Sequence, residues 1–75
     1  MIHEIAVLLR EEYGITNLDP EANIQKDLGL SSFDLMNLVC LVEEKFGVRL
    51  EEDRYLSMNT VRELSDYLME LIQEK

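Results

Sequence analysis

The chain has 75 residues, with 16 acidic side chains against 7 basic ones and a net charge of −9 at pH 7. This length allows one small domain, and we expect residues 1–75 to form it. So acidic a chain lacks the clustered Lys and Arg that bind nucleic acid or insert at an anionic membrane surface. The single cysteine, Cys40, cannot form an internal disulfide, and a free thiol is typical of the reducing cytoplasm, where we expect the protein to reside.

Apolar residues at helical spacing predict a first helix over residues 2–13. Gly14 follows it, where a left-handed residue is expected at the end of a helix. Residues 14–31 show no sustained period and contain a turn-forming Asp19-Pro20 pair, which predicts a long loop. We expect this loop to be ordered, because apolar side chains recur along it and can hold it against a core. These side chains are Ile15, Leu18, Ile24, Leu28 and Leu30.

A second helix is predicted to begin with Ser31 as its N-cap and to end before Gly47. Asp34 then occupies the N3 position, a weaker version of the capping box that normally uses Glu or Gln. Residues 51–55 are long enough for one short helical turn, and Thr60 starts a last amphipathic helix with its own capping box. The sequence therefore predicts an all-α bundle of three main helices and one short helix, with a long first loop.

Residue patterns for catalysis or metal binding are weak. Residues 19–30 begin like a calcium-binding loop, but Ile24 and Leu30 replace the required Gly and Glu. His3 is the only histidine, and Cys40, among apolar neighbours, is expected to be a partly buried and inert thiol. No His/Cys cluster predicts a metal site. We therefore expect neither an enzyme nor a metalloprotein.

The pair of serines at the start of the second helix is the strongest candidate site. One serine suffices for an N-cap, and with Ser31 in that position the hydroxyl of Ser32 is free to face solvent. A phosphate ester on Ser32 would lie at the positive end of the helix dipole, near unpaired backbone N–H groups. The simpler interpretation is that serine is present here as a favoured N-cap residue and has no further function.

The wider sequence resembles that of the acyl carrier proteins. The segment Asp27–Leu35 reads DLGLSSFDL, and the family signature is D-L-G-x-D-S-L-[DE]. Residues 42–48, VEEKFGV, match the segment that ends the family's second helix. Chain length, acidic charge, the long first loop and the start of the last helix also agree, so the resemblance extends over nearly the whole chain.

The resemblance implies that Ser32 is modified with 4′-phosphopantetheine, delivered from coenzyme A by a separate phosphopantetheinyl transferase. The arm's thiol would hold acyl groups as thioesters and present them to synthase and acyltransferase enzymes with basic docking patches. Such a carrier performs no catalysis itself, and we expect it to act as a monomer without inserting into a membrane. Fatty-acid, polyketide, aminoacyl and D-alanyl cargo are all compatible with the sequence. An acidic helical adaptor without a prosthetic group is the alternative from another class.

The resemblance also suggests two further groups of residues. The first would contact partner enzymes: Asp34, Met36, Glu43, Glu44, Glu51, Glu52 and Asp53. The second would line a space for the acyl chain: Leu38, Val39, Val42, Leu50, Met58 and Leu64. A solvated acidic face and ordinary core packing explain the two groups equally well.

The sequence departs from the family pattern at three positions. Ser31 stands where Asp is usual, Phe33 replaces the usual Leu or Met, and Asn37 occupies a commonly acidic position. Serine caps a helix as well as aspartate does, so the fold should be unaffected. The departures leave the biosynthetic system open and favour a specialised carrier or a divergent second copy.

Overall fold

A computed structural model describes residues 1–74. Over these residues it has four helices: α1 (Ile2–Tyr13), α2 (Ser32–Phe46), α3 (Glu52–Tyr55) and α4 (Val61–Glu74). The prediction of an all-α bundle with three main helices and one short one is confirmed. No helix in this part of the chain is long and apolar enough to cross a membrane.

The ends of the helices follow from local chemistry. Gly14 and Gly47 end α1 and α2 in the left-handed conformation, with φ of 70° and 66°, which glycine adopts without a Cβ clash. At the start of α4, the Thr60 hydroxyl oxygen accepts a hydrogen bond from the Glu63 N–H at 3.2 Å. The Thr60 hydroxyl also donates to the Glu63 carboxylate at 3.3 Å. The second hydrogen bond of the predicted capping box therefore joins two side chains, whereas in the usual box the backbone N–H of the N-cap residue is the donor.

The loop between α1 and α2 is ordered by long-range backbone contacts that no local sequence pattern indicates. Its residue Asn23 forms an isolated antiparallel bridge with Thr60, and the Ile24 N–H donates to the Asn59 carbonyl at 2.8 Å. The Arg62 N–H donates to the Pro20 carbonyl at 2.9 Å, and its side chain pairs with Glu21. These contacts join the middle of the loop to the segment before α4 and to the first turn of α4.

The core lies between the three long helices and includes apolar side chains of the loop. Ile24 and Leu30 from the loop are 2% and 6% exposed, which agrees with the expected role of the loop's apolar residues. The other core side chains come from the helices and from the segment around α3. They are Ile5, Leu8, Leu9, Leu35, Leu38, Val39, Val42, Val48, Leu50, Tyr55, Val61, Leu64, Tyr67 and Leu68. This packing fixes the start of α2, where the loop ends.

Candidate functional site at the start of α2

The first turn of α2 carries a complete capping box. The Ser31 hydroxyl oxygen accepts a hydrogen bond from the Asp34 N–H, and the Asp34 carboxylate accepts one from the Ser31 N–H, both at 3.1 Å. The box satisfies two backbone donors that the end of a helix leaves unpaired. Asp34 is therefore a full N3 partner here, although its side chain is shorter than that of Glu.

Ser32 is the first residue of α2 and is exposed to solvent. Its hydroxyl oxygen accepts a hydrogen bond at 3.3 Å from the side-chain amide of Gln25, a residue of the loop between α1 and α2. Because Ser31 supplies the cap, esterification of Ser32 would leave the capping box intact. A phosphate at this position would meet the positive end of the α2 dipole and the Gln25 donor, so the local chemistry suits a covalent phosphoester.

A second network holds α2 from the side of α1. The Tyr13 hydroxyl donates to the Asp34 carbonyl at 3.0 Å and accepts a hydrogen bond from the Asn37 side-chain amide at 3.0 Å. Tyr13 is partly buried at the end of α1, so these contacts connect the two helices directly at the turn that follows Ser32. The side chain of Asn37 is therefore hydrogen-bonded to Tyr13 of α1, a contact that the sequence did not indicate.

Comparisons with known proteins agree with this geometry. The family model described as "Phosphopantetheine attachment site" matches residues 3–68. The chain belongs to the phosphopantetheine-binding acyl carrier protein family. Its prosthetic group is 4′-phosphopantetheine.

Relatives and a solved structure support the same family. The chain is 34% identical over 67 residues to the acyl carrier protein of Syntrophobacter fumaroxidans, covering 87% of this chain and 83% of that protein. It is 35% identical over 66 residues to the acyl carrier protein of Acidothermus cellulolyticus, covering 85% and 79%. The crystal structure of an acyl carrier protein from Thermotoga maritima superposes with a TM-score of 0.87 at 27% identity, covering 97% of this chain and 87% of that one.

The side chains that follow Ser32 combine apolar and acidic character. Phe33 is 84% exposed and Met36 is 37% exposed, so two large apolar side chains close to Ser32 in sequence are open to solvent. The acidic residues expected from the family resemblance to contact partners fall into two groups. Asp34 and Glu43 are half-buried and bonded to backbone N–H groups, at Ser31 and Leu50 respectively. The exposed group is Glu44, Glu51, Glu52 and Asp53.

Most residues suggested to line an acyl space are part of the packed core. Leu38, Val39 and Val42 of α2 are at most 2% exposed, and Leu64 of α4 is 1% exposed. Leu50, on the chain between α2 and α3, is also buried. Met58 differs: it is half-buried and lines a surface groove beside the loop.

Cys40 and His3 are two further residues that the sequence singled out. Cys40 is exposed on α2, so the expectation of a partly buried thiol is wrong. Val39 and Val42 lie on the side of α2 that faces the core, and Cys40 lies on another side. Apolar neighbours in the sequence therefore do not reveal which face of a helix a residue occupies. His3 lies on α1 near Ile15. No group of His, Cys, Asp and Glu within residues 1–74 is arranged to hold a metal ion.

Proposed function

We propose that Ser32 carries the 4′-phosphopantetheine arm and that the protein delivers acyl thioesters to enzymes of fatty-acid, polyketide or related biosynthesis. The observation that carries the proposal is the exposed Ser32 hydroxyl in the first turn of α2, beside a serine already used as the cap. Esterification at Ser32 leaves the helix start intact, whereas esterification at Ser31 would remove its cap.

The proposed loading step forms one bond and breaks one. The Ser32 hydroxyl oxygen attacks the β-phosphate of coenzyme A, the pyrophosphate bond breaks, and 3′,5′-ADP leaves. The hydroxyl proton passes to a base of the transferase, so the chain itself supplies only the acceptor and its orientation. The arm then contributes the thiol that holds acyl groups, and the protein catalyses no step.

We propose that docking to basic partner surfaces uses the exposed carboxylates near the site. Residues 1–31 carry six acidic and two basic side chains, residues 34–53 also six and two, and residues 54–75 four and three. The negative charge thus lies on the two segments that flank the site, residues 1–31 and 34–53, and residues 54–75 are nearly balanced. Such a field accelerates encounter with basic patches and weakens as salt rises. Phe33 and Met36 add apolar contact area beside the arm.

We propose further that an acyl chain, when sequestered, enters the core beside α2. Leu38, Val39 and Val42 are buried in the core, and protein interiors are close-packed, so entry requires α2 to separate from its neighbours. We propose that the carrier is a cytoplasmic protein and acts as a monomer, in which each partner can reach the same arm in turn. Tethering raises the effective concentration of the cargo at every partner, so individual contacts can remain weak.

The test is loading in vitro. Wild-type protein is incubated with coenzyme A, Mg²⁺ and a broad-specificity phosphopantetheinyl transferase, and its intact mass is measured. We expect a gain of one phosphopantetheine group, assigned to Ser32 by fragmentation. Ser32→Ala must remain unmodified while its circular dichroism shows a folded protein.

Ser31→Ala is the matched control, because it removes the neighbouring hydroxyl. It should still be loaded, with a loss of about 1 kcal/mol in stability from the missing cap. Loading of Ser32→Ala would refute the assignment. A wild-type protein that stays unmodified with several transferases would refute the carrier function and favour the adaptor, whose apo form binds its partner at full strength.

A further inference from the structure

Gln25 is the loop residue whose side chain contacts the attachment site. Its side-chain amide nitrogen donates a hydrogen bond to the Ser32 hydroxyl oxygen at 3.3 Å, across a separation of seven residues. Both residues are exposed, so a partner enzyme can reach them. Within residues 1–74 the Ser32 hydroxyl makes no other hydrogen bond. Among the described residues, Gln25 therefore sets the direction of this hydroxyl.

A tight turn of residues 23–27 holds the backbone at Gln25. The Asn23 side-chain oxygen accepts hydrogen bonds from the N–H groups of Gln25 and Lys26, at 3.0 Å and 2.8 Å. The Asn23 N–H in turn donates to the Asp27 carboxylate at 2.8 Å. Ile24, the residue before Gln25, is 2% exposed and anchors the turn in the core. Because the backbone is fixed on both sides of Gln25, its side chain starts from a defined place opposite the hydroxyl.

The direction of this hydrogen bond determines what the Ser32 hydroxyl keeps for chemistry. A serine hydroxyl has one proton and two lone pairs. Because the Gln25 amide is the donor, it occupies one lone pair and leaves the proton and the second lone pair free. The contact also favours one of the three staggered positions of the Ser32 side chain, which rotates about a single bond. The acceptor oxygen is thereby directed before any enzyme binds.

We propose that Gln25 is a positioning residue for the loading reaction at Ser32. In that reaction the Ser32 oxygen forms a bond to the β-phosphorus of coenzyme A, the pyrophosphate bond breaks, and 3′,5′-ADP leaves with the electron pair. The hydroxyl proton passes to a base of the transferase. Gln25 directs the oxygen for attack and stabilises the negative charge that develops on it as the proton leaves. The proposal rests on the proposed attachment at Ser32 and adds the residue that orients the acceptor.

The contact itself is tested on the apo protein, without a transferase. The side-chain amide resonances of Gln25 are recorded by NMR for the wild type and for Ser32→Ala. We expect these resonances to shift, because the variant lacks the acceptor oxygen. The side-chain amide of Gln73, an exposed glutamine in the last turn of α4, should keep its resonances. Unchanged Gln25 resonances would overturn the contact.

The role of the contact is tested by loading kinetics, with the carrier concentration varied at saturating coenzyme A. Gln25→Ala should lower kcat about two- to fivefold, the range between losing one preferred rotamer and losing a full hydrogen bond, with an unchanged KM for the carrier. Gln25→Glu has nearly the same shape, but it accepts a hydrogen bond and its charge repels the incoming phosphate, so kcat should fall about tenfold. Gln73→Ala is the matched control and should load at the wild-type rate. Gln25 is exposed, so thermal melts of its variants should match that of the wild type.

The kinetic constants separate positioning from other roles of Gln25. A raised KM with an unchanged kcat in Gln25→Ala would identify Gln25 as a contact of the transferase and refute the positioning role. Equal kcat values for Gln25→Glu and the wild type would refute it as well. Both results would leave the attachment at Ser32 standing, because the wild type gains its mass. A wild type without any mass gain would instead refute the attachment, and the positioning role with it.

Discussion

Glu43 is the acidic residue for which the structure makes the sharpest prediction. Its carboxylate accepts a hydrogen bond at 2.8 Å from the N–H of Leu50, a residue that is only 8% exposed. The contact holds the chain against the end of α2 as it turns towards α3. Glu44, the next residue, is exposed and has no such contact within residues 1–74. We expect Glu43→Ala to destabilise the fold and Glu44→Ala to leave it nearly unchanged.

The size of the effect follows from the kind of bond. A hydrogen bond to a charged group contributes about 1.5–3 kcal/mol, and partial exposure of Glu43 favours the lower end, about 1.5 kcal/mol. For a domain of this length, that loss lowers Tm by about 6–12 °C. Glu44→Ala should stay within about 0.5 kcal/mol of wild type. Glu43→Gln keeps an acceptor oxygen without the charge, so its loss should lie between the two.

The assay is urea denaturation followed by far-UV circular dichroism, with thermal melts as a second measure. Equal stabilities of Glu43→Ala and Glu44→Ala would refute the reasoning. The pair also serves binding experiments with partner enzymes. Weaker binding by Glu44→Ala reports a docking contact, whereas weaker binding by Glu43→Ala includes the loosened chain at Leu50.

Two further predictions concern tyrosines. Tyr13→Phe removes the hydroxyl that joins the Asp34 carbonyl and the Asn37 amide, so the free energy of unfolding in urea should fall by about 1 kcal/mol; an unchanged value would mean that the network is dispensable. Burial, with Glu52 nearby, raises the pKa of Tyr55 above its ordinary value of 10.0. The unfolded chain therefore loses this proton first, so the stabilisation is complete below about pH 10 and is lost as pH rises towards the folded pKa. Urea denaturation across that range should show a shallower decline for Tyr55→Phe, and identical slopes would contradict the assignment.

Local sequence signals were sufficient for the helices and for the position of the candidate site. The period of apolar residues and the glycines at 14 and 47 predicted the ends of α1 and α2, because helix ends are set by neighbouring residues. The same locality holds for the capping box, in which Ser31 and Asp34 are three residues apart. The exposed position of Ser32 follows from its place beside the cap.

The contacts that the sequence did not indicate join distant segments. Tyr13 and Asn37 are 24 residues apart, and no periodic signal relates a tyrosine in one helix to an amide in another. The surface groove beside the loop is equally non-local, because Gln25 and Asn59 come together only when the loop packs against the segment before α4. The wrong expectation for Cys40 has a different origin: its apolar neighbours in sequence lie on another face of α2.

Taken together, these contacts change the interpretation of the acidic charge around the site. The sequence does not distinguish Asp34 and Glu43 from Glu44, because all three are acidic residues of α2. The carboxylates of Asp34 and Glu43, however, accept hydrogen bonds from backbone N–H groups near the two ends of the helix. Asn37, at a commonly acidic position, supplies a hydrogen bond to α1 in place of a charge. The helix is thus fixed at its start and its end by side chains that a charge count would assign to partners. Under the proposed attachment, these hydrogen bonds would hold Ser32 in one orientation towards each enzyme, and the carboxylates available for the proposed docking would be those that the fold does not use.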